Sequence, residues 1–354
     1  MHYFALVSNA QDGDIGVLHM DGSSGALTPV ARYTAAPRVG PLALASDHQT
    51  VIAGTRGKQP SMMAFAIDAA TGALTHEDSV TIQSGKAYLS GDKAGRFMFG
   101  ASYGDHILSV YARRREGPPL QVVEDIRHAH CVIVSPDDRF VYVTALGTDR
   151  LFSFEIQADA DVPLAPLDVT MMHPGFGPRH MQFSPNGEHM YVLSELHGTI
   201  AVLGRDVESG KLTLLNTTTR HDALSHLQEG VARPSDPHAP QPDPARLAQS
   251  IWAADIQVHP SGRFVYASER TTSQIFIYSV SDDGSTLHAE GAVPTEQQPR
   301  GFKIDPSGTF LIACGEKSSQ ISAYRIDPKN GALTQVSRAA GGWGANWIEI
   351  IEQA

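Results

Sequence analysis

Ser135-Pro-Asp-Asp-Arg-Phe-Val-Tyr-Val-Thr144 is a polar turn that runs straight into alternating β-branched and aromatic residues, and the chain repeats it. Clear copies are Ser184-Pro-Asn-Gly-Glu-His-Met-Tyr-Val-Leu193, His259-Pro-Ser-Gly-Arg-Phe-Val-Tyr-Ala-Ser268 and Asp305-Pro-Ser-Gly-Thr-Phe-Leu-Ile-Ala-Cys314, which follow the first and one another by 49, 75 and 46 residues, the long step holding an extra segment. Weaker copies run from Ser46 to Gly54 and from Gly91 to Gly100, and Tyr3 to Ser8 fits the strand without its turn. A second phrase keeps the same period: Gly25-Ala-Leu-Thr28, Gly72-Ala-Leu-Thr75, Gly210-Lys-Leu-Thr213 and Gly331-Ala-Leu-Thr334. Glycine turns of this kind join antiparallel strands. Strand-rich units of 40 to 50 residues mark a β-propeller. The expected fold is all-β, with seven blades of four antiparallel strands.

One unit reads completely between Gly177 and Thr218. Its strands are His180 to Phe183, His189 to Leu193, Thr199 to Leu203 and Leu212 to Asn216. The chain opens on a second strand and ends on Asn346-Trp-Ile-Glu-Ile350, a first strand with no successor. Pairing that last strand with the N-terminal blade closes the ring and removes exposed edges. Residues 1–354 therefore read as one domain, and a closed ring needs no second copy to fold, so a monomer is expected.

The formal charge of −11 excludes nucleic acid or an anionic membrane as the general partner, while leaving room for a local basic pocket. Two cysteines, Cys131 and Cys314, lie on distant blades, which fits reduced thiols in a cytoplasm. The N-terminus lacks the regions of a signal peptide, and no apolar run is long enough to span a bilayer. One segment, residues 219–250, breaks the period. It carries His221, His226 and His238 among Pro234, Pro237, Pro240, Pro242 and Pro244. Such a loop is either a surface insertion or a rim over the mouth. It joins a fourth strand to a first, which puts it on the candidate site's face. Its histidines lack the spacing of a preorganised metal pair, and no metal or cofactor is expected.

In an antiparallel blade the two-to-three and four-to-one loops share a face. The four-to-one set supplies Lys86, His130, Arg179, Trp252, Asp255, Arg300 and Trp347. The two-to-three set supplies Arg56, Tyr103, Glu195, His197, Arg270 and Lys317. An acidic protein thus gathers its cations at one mouth, where an arginine fork suits carboxylate or phosphate. Glu195 and His130 can titrate among them. Each member also has a plainer reading: Asp255 as a brace between inner strands, the tryptophans as channel lining, and His180 as pointing away from Arg179 by strand alternation. The repeated Arg139 and Arg263 read as architectural.

At these residues the chain resembles the seven-bladed lactonase family, which includes bacterial 6-phosphogluconolactonases and the fungal 3-carboxy-cis,cis-muconate lactonising enzyme. The resemblance spans essentially the whole chain. Three stretches carry it: Gly177-Pro-Arg-His-Met-Gln-Phe-Ser-Pro-Asn186 with Ser194-Glu-Leu196, Trp252-Ala-Ala-Asp-Ile256 with Glu269-Arg-Thr271, and Thr295-Glu-Gln-Gln-Pro-Arg-Gly-Phe302 with Gly315-Glu-Lys-Ser318. It implies a catalytic set of His130, Arg179, Glu195 and Arg270, a subset of the face the repeat gathers; from that face Arg56, Lys86, Tyr103, Asp255, Arg300, Lys317 and Trp347 are expected as substrate contacts. Three departures bear on the far end of the substrate: Ile251 in place of an arginine, no lysine near Gly147-Thr148, and the length of the stretch from Arg220 to Ser250.

The implied activity is hydrolysis of a small anionic sugar-acid lactone. The first reading is 6-phosphoglucono-1,5-lactone, which would place the chain in the pentose phosphate route. An unphosphorylated aldonic or aldaric lactone comes next, and muconate-type cycloisomerisation after it. A non-catalytic scaffold is the competing class, and it predicts an apolar face rather than arginines at a mouth. Glu195 or His130 would serve as general base, with Arg179 and Arg270 stabilising the oxyanion.

Overall fold

The computed structural model describes residues 1–112, 117–235 and 238–354; Pro237 of the long insertion lies outside them. Over these residues the chain forms seven antiparallel sheets of four strands. Blade 1 takes its innermost strand, Ala345–Glu352, from the C-terminus and continues through His2–Asn9, Asp14–Asp21 and Leu27–Thr34. Tyr3 lies opposite Glu352, Ala5 opposite Ile350 and Val7 opposite Ile348, which closes the ring as expected. Blades 2 to 7 follow in chain order. Their first strands are Val39–Leu44, Tyr88–Gly91, Ala129–Val134, Pro178–Phe183, Ala253–Val258 and Gly301–Ile304, and these line the centre.

The two repeated phrases meet each other across blade interfaces. Gly210 has φ 71°, and a Cβ there would lie 2.4 Å from the Phe140 ring of the preceding blade. Gly331 meets Phe264 in the same way, Gly25 meets Phe310 and Gly72 meets Phe4. The tyrosine two residues after the phenylalanine adds a bond to the same turn: Tyr142 Oη donates to the Gly210 carbonyl at 2.7 Å, and Tyr266 Oη to Gly331 at 2.8 Å. Arg139 and Arg263 complete the clasp on the carbonyls of Val207 and Glu208, and of Pro328 and Lys329. The phrase is therefore both a strand and the clasp that holds the next blade.

Buried apolar side chains fall into seven clusters, one for each blade interface. Cys131 and Cys314 are free and buried in two different ones. Each blade is thus a sheet packed on both faces, and the ring places all seven inner strands around one axis. Among the described residues no helix is long and apolar enough to cross a membrane.

Candidate active site

The inner strand of blade 1 shifts register between Ala345 and Trp347, opposite Asn9 and Ser8, and four further inner strands change register soon after they begin. Those four shifts fall between Val39 and Leu42, Ala129 and Val132, Pro178 and Met181, and Ala253 and Ile256. In each, three steps along the inner strand face two on its neighbour, which is a β-bulge. His130, Arg179, His180, Ala254 and Asp255 sit inside these bulges. A bulge re-aims side chains that strict alternation would send into the sheet, and here it turns polar groups toward the axis.

A cavity of about 160 Å³ opens at this end of the axis. It is lined by Arg56, Ala87, Tyr103, His130, Arg179, Glu195, Arg233, Trp252, Arg270 and Arg300. Glu195 is the hub. Its Oε2 accepts from Arg179 Nε at 2.8 Å and lies 3.3 Å from Arg270 Nη2, and its Oε1 accepts from the Trp252 indole at 3.2 Å. Arg179 also donates to the Ala254 carbonyl, and Arg270 holds the carbonyls of Trp252 and Ala253, each at 3.0 Å. Glu269 accepts from the Trp252 backbone N–H at 2.7 Å and from Thr272, so the loop that carries Arg270 also fixes Trp252. Arg300 pairs with Glu316 at 3.0 Å.

The field of this cavity is positive. Burial raises the Glu195 carboxyl, but Arg270, Arg179 and Arg300 outweigh it and hold the group below its usual range. Glu195 is therefore a carboxylate at neutral pH and a weak base. His130 is pushed well below the ordinary imidazole range by burial, and further by Arg179, His180, Arg300 and Arg270. It is a neutral imidazole, and its buried Nδ1 has no hydrogen-bond partner among the described residues. Burial, followed by neighbouring arginines, pushes Arg56 and Arg270 down to about 9. These guanidiniums stay charged at neutral pH and repel one another, a strain that an anion in the cavity relieves. Among the described residues no three His, Cys, Asp or Glu side chains gather in a way that would hold a metal ion.

Beneath the cavity the axis is plugged. His180 Nδ1 lies 2.7 Å from Asp255 Oδ1, and the His180 ring sits 5.1 Å from that of His130. Tyr88, Trp347, Lys303 and Glu349 fill the next layer, with Lys303 paired to Glu349 at 3.0 Å. A larger groove of about 720 Å³ is lined by the Ser184–His189 and Ser281–Gly284 turns. Their polar side chains are bonded within their own turns, as Ser184 is to Asn186 and Ser281 to Asp283.

Residues 1–350 match the family described as lactonase, 7-bladed beta-propeller. The chain belongs to that family. It is 35% identical over 332 residues to the 6-phosphogluconolactonase of Enterobacter sp. (strain 638), with 93% of each chain covered. It is 32% identical over 354 residues to the 6-phosphogluconolactonase of Serratia proteamaculans (strain 568), with 99% of each covered. In three dimensions it superposes on the periplasmic gluconolactonase PpgL of Pseudomonas aeruginosa with a TM-score of 0.84, at 23% identity and with 100% of both chains covered. At that identity the match speaks for the fold alone.

Seven of the eleven site residues expected from the sequence line the cavity together: His130, Arg179, Glu195, Arg270, Arg56, Tyr103 and Arg300. Four do not. Lys86 is fully buried inside blade 3, where its stem lies over Gly100 and its Nζ donates to Ser84 and Ser109. Asp255 is committed to His180 and to the Phe302 backbone N–H, and so braces neighbouring inner strands. Trp347 lies in the plug, with its indole donating to Glu349 at 3.0 Å. Lys317 stands in an outer pocket. Arg233 was missed, because nothing periodic marks a residue in the insertion. Trp252 lines the cavity, as expected of a channel tryptophan, and its indole also donates to Glu195.

Proposed function

We propose that this chain hydrolyses a sugar-acid δ-lactone, with 6-phosphoglucono-1,5-lactone as its substrate. The observation that carries the reading is the cavity itself: five arginines around one carboxylate and one neutral imidazole. Membership of the lactonase family, and full-length relatives named 6-phosphogluconolactonase, support the same chemistry.

The two titratable groups divide the work. Glu195 is held ionised by its arginines and serves as their counter-ion and spacer. His130, neutral and lining the cavity, is the general base. It takes a proton from water as the water oxygen bonds to the lactone carbonyl carbon. The carbonyl oxygen becomes an oxyanion, which donors on Arg179 and Arg270 stabilise. Collapse of the oxyanion breaks the bond from the carbonyl carbon to the ring oxygen. The ring oxygen takes the proton back from His130, and the new acid releases its own proton to solvent as it ionises. His130 is regenerated neutral.

The test is proton release in weak buffer at neutral pH, comparing 6-phosphoglucono-, glucono- and glucaro-1,5-lactone above their spontaneous rates. The phosphorylated lactone should be preferred. Arg179→Ala should lower kcat/KM on the order of 100- to 1,000-fold, as for loss of an oxyanion donor. A preference for the dicarboxylate would reassign the substrate, and no acceleration of any lactone would overturn the reading.

A further inference from the structure

Among the described residues, the insertion reaches the cavity through one, Arg233. Its first part is anchored: Leu224 and Leu227 join Ile251, the residue just past the insertion, in the cluster between blades 5 and 6, and the Gly230 N–H donates to the Leu196 carbonyl at 2.8 Å. The chain then reaches toward blade 3, where Tyr103 Oη donates to the Arg233 carbonyl at 2.7 Å. This leaves the Arg233 guanidinium carbon 3.9 Å from the centre of the Trp252 ring. The Arg270 guanidinium carbon lies 3.6 Å from the same centre. Two guanidiniums cannot share one face at those distances, so they flank the indole.

Two cations on one indole gain from its faces but repel each other. Of these two cations, only Arg270 is paired with Glu195, at 3.3 Å. The buried Nε of Arg233 has no hydrogen-bond partner among the described residues. The stack is also a shared wall. On one side lies the 160 Å³ cavity, and on the other an outer pocket of about 480 Å³. Among the described residues that line the outer pocket, Arg233, Arg270 and Lys317 are cationic and none is acidic, with Gln297 and Gln298 beside them.

We propose that Arg233, with Lys317 beyond it, is the subsite for the substrate's anionic tail, the group remote from the lactone carbonyl. The inference rests on the lactonase reading and adds to it the residue that selects a ligand with a charged tail from its neutral-tailed analogue. A phosphate monoester and a carboxylate share the required chemistry, a terminal anion on a short polyol.

The experiment is isothermal calorimetry of 6-phosphogluconate, glucarate and gluconate on the full chain, together with lactone kinetics. Arg233→Gln should weaken 6-phosphogluconate by at least about tenfold, the scale of one lost charge-assisted pair, and should weaken gluconate far less. In kinetics the loss should fall on KM for the phosphorylated lactone. Lys317→Gln should shift preference the same way by a smaller factor, and it guards against a fold defect in the first variant. Equal weakening of 6-phosphogluconate and gluconate, or no change in either, would overturn the subsite. If the parent protein does not hydrolyse the phosphorylated lactone, the proposed function fails on its own, and the subsite is judged on glucarate against gluconate. An Arg233-dependent preference for glucarate upholds it there, and its absence rejects it.

Discussion

His130 is kept neutral by burial and by the same arginines that would bind the substrate, so its pH behaviour can be worked out. A base whose pKa is depressed keeps its activity as pH falls until the depressed value is reached. The acid limb of kcat/KM should therefore lie below the ordinary imidazole value of 6.5. In the complex, the anion offsets the arginines and raises His130, so the acid limb of kcat should lie at higher pH than that of kcat/KM. Both profiles can be measured by proton-independent product assay, with the substrate phosphate's own ionisation near pH ~6 determined separately. His130→Asn should remove the limb and cost on the order of 100- to 10,000-fold in rate. A limb at or above 6.5 in kcat/KM would exclude a neutral His130 as the base. Glu195 differs in kind: it is bound by two arginines and an indole, which hold it as their carboxylate counter-ion.

At the scale of elements, the clasp between blades explains why two phrases repeat instead of one. The Gly210 turn needs a positive φ, and its Cα rests against the Phe140 ring at a distance that a Cβ would violate. Gly210→Ala should combine backbone strain with a forced shift of Phe140, costing about 1–3 kcal/mol for the strain alone. Gly57→Ala has open space around it and serves as the control. Denaturant unfolding of the two variants decides the point, and equal midpoints would reject the clasp. These repeats are legible in the sequence because every blade faces the same packing problem and solves it with the same residues. The mouth is legible for the same reason: fixing the repeat fixes which loops share a face, and this places Arg56, Arg179, Glu195 and Arg270 together. Side-chain direction within a loop is not periodic, which is why Lys86 was misplaced. Its loop faces the mouth, but its stem takes the space above Gly100 instead. Asp255 and Trp347 point down the axis because bulges and inner-strand pairing, not sequence spacing, set their aim. Arg233 could not be found from the repeat, since its position depends on a tertiary latch to Tyr103.

On the scale of the whole molecule, the core is seven interblade clusters held in a closed ring, and the buried histidines of the site sit at the inner edge of several of them. His128 and His180 are each pushed down to about 4, mainly by burial, and His130 is also lowered. Other groups surround them: His106 and Arg127 act on His128, and Arg179 and Arg300 on His180, opposed by Asp255. Each imidazole takes up a proton near 6.5 in the unfolded chain but resists it in the folded one. Between 6.5 and about 4 the unfolded state therefore binds more protons, and stability must fall as pH falls through that window. The slope is at most ~1.4 kcal/mol per pH unit for each histidine. Carboxylates that titrate near their usual values of about 4 contribute little above pH ~5, so the interval from 6.5 to 5 isolates the imidazoles. Denaturant midpoints at pH 7, 6 and 5 should drop steadily, and His128→Gln should remove one proton's worth of slope while leaving the site's arginines in place. If the midpoints stay level across that interval, the histidines are not held neutral by the fold, and the base assigned to the reaction loses its physical ground with them.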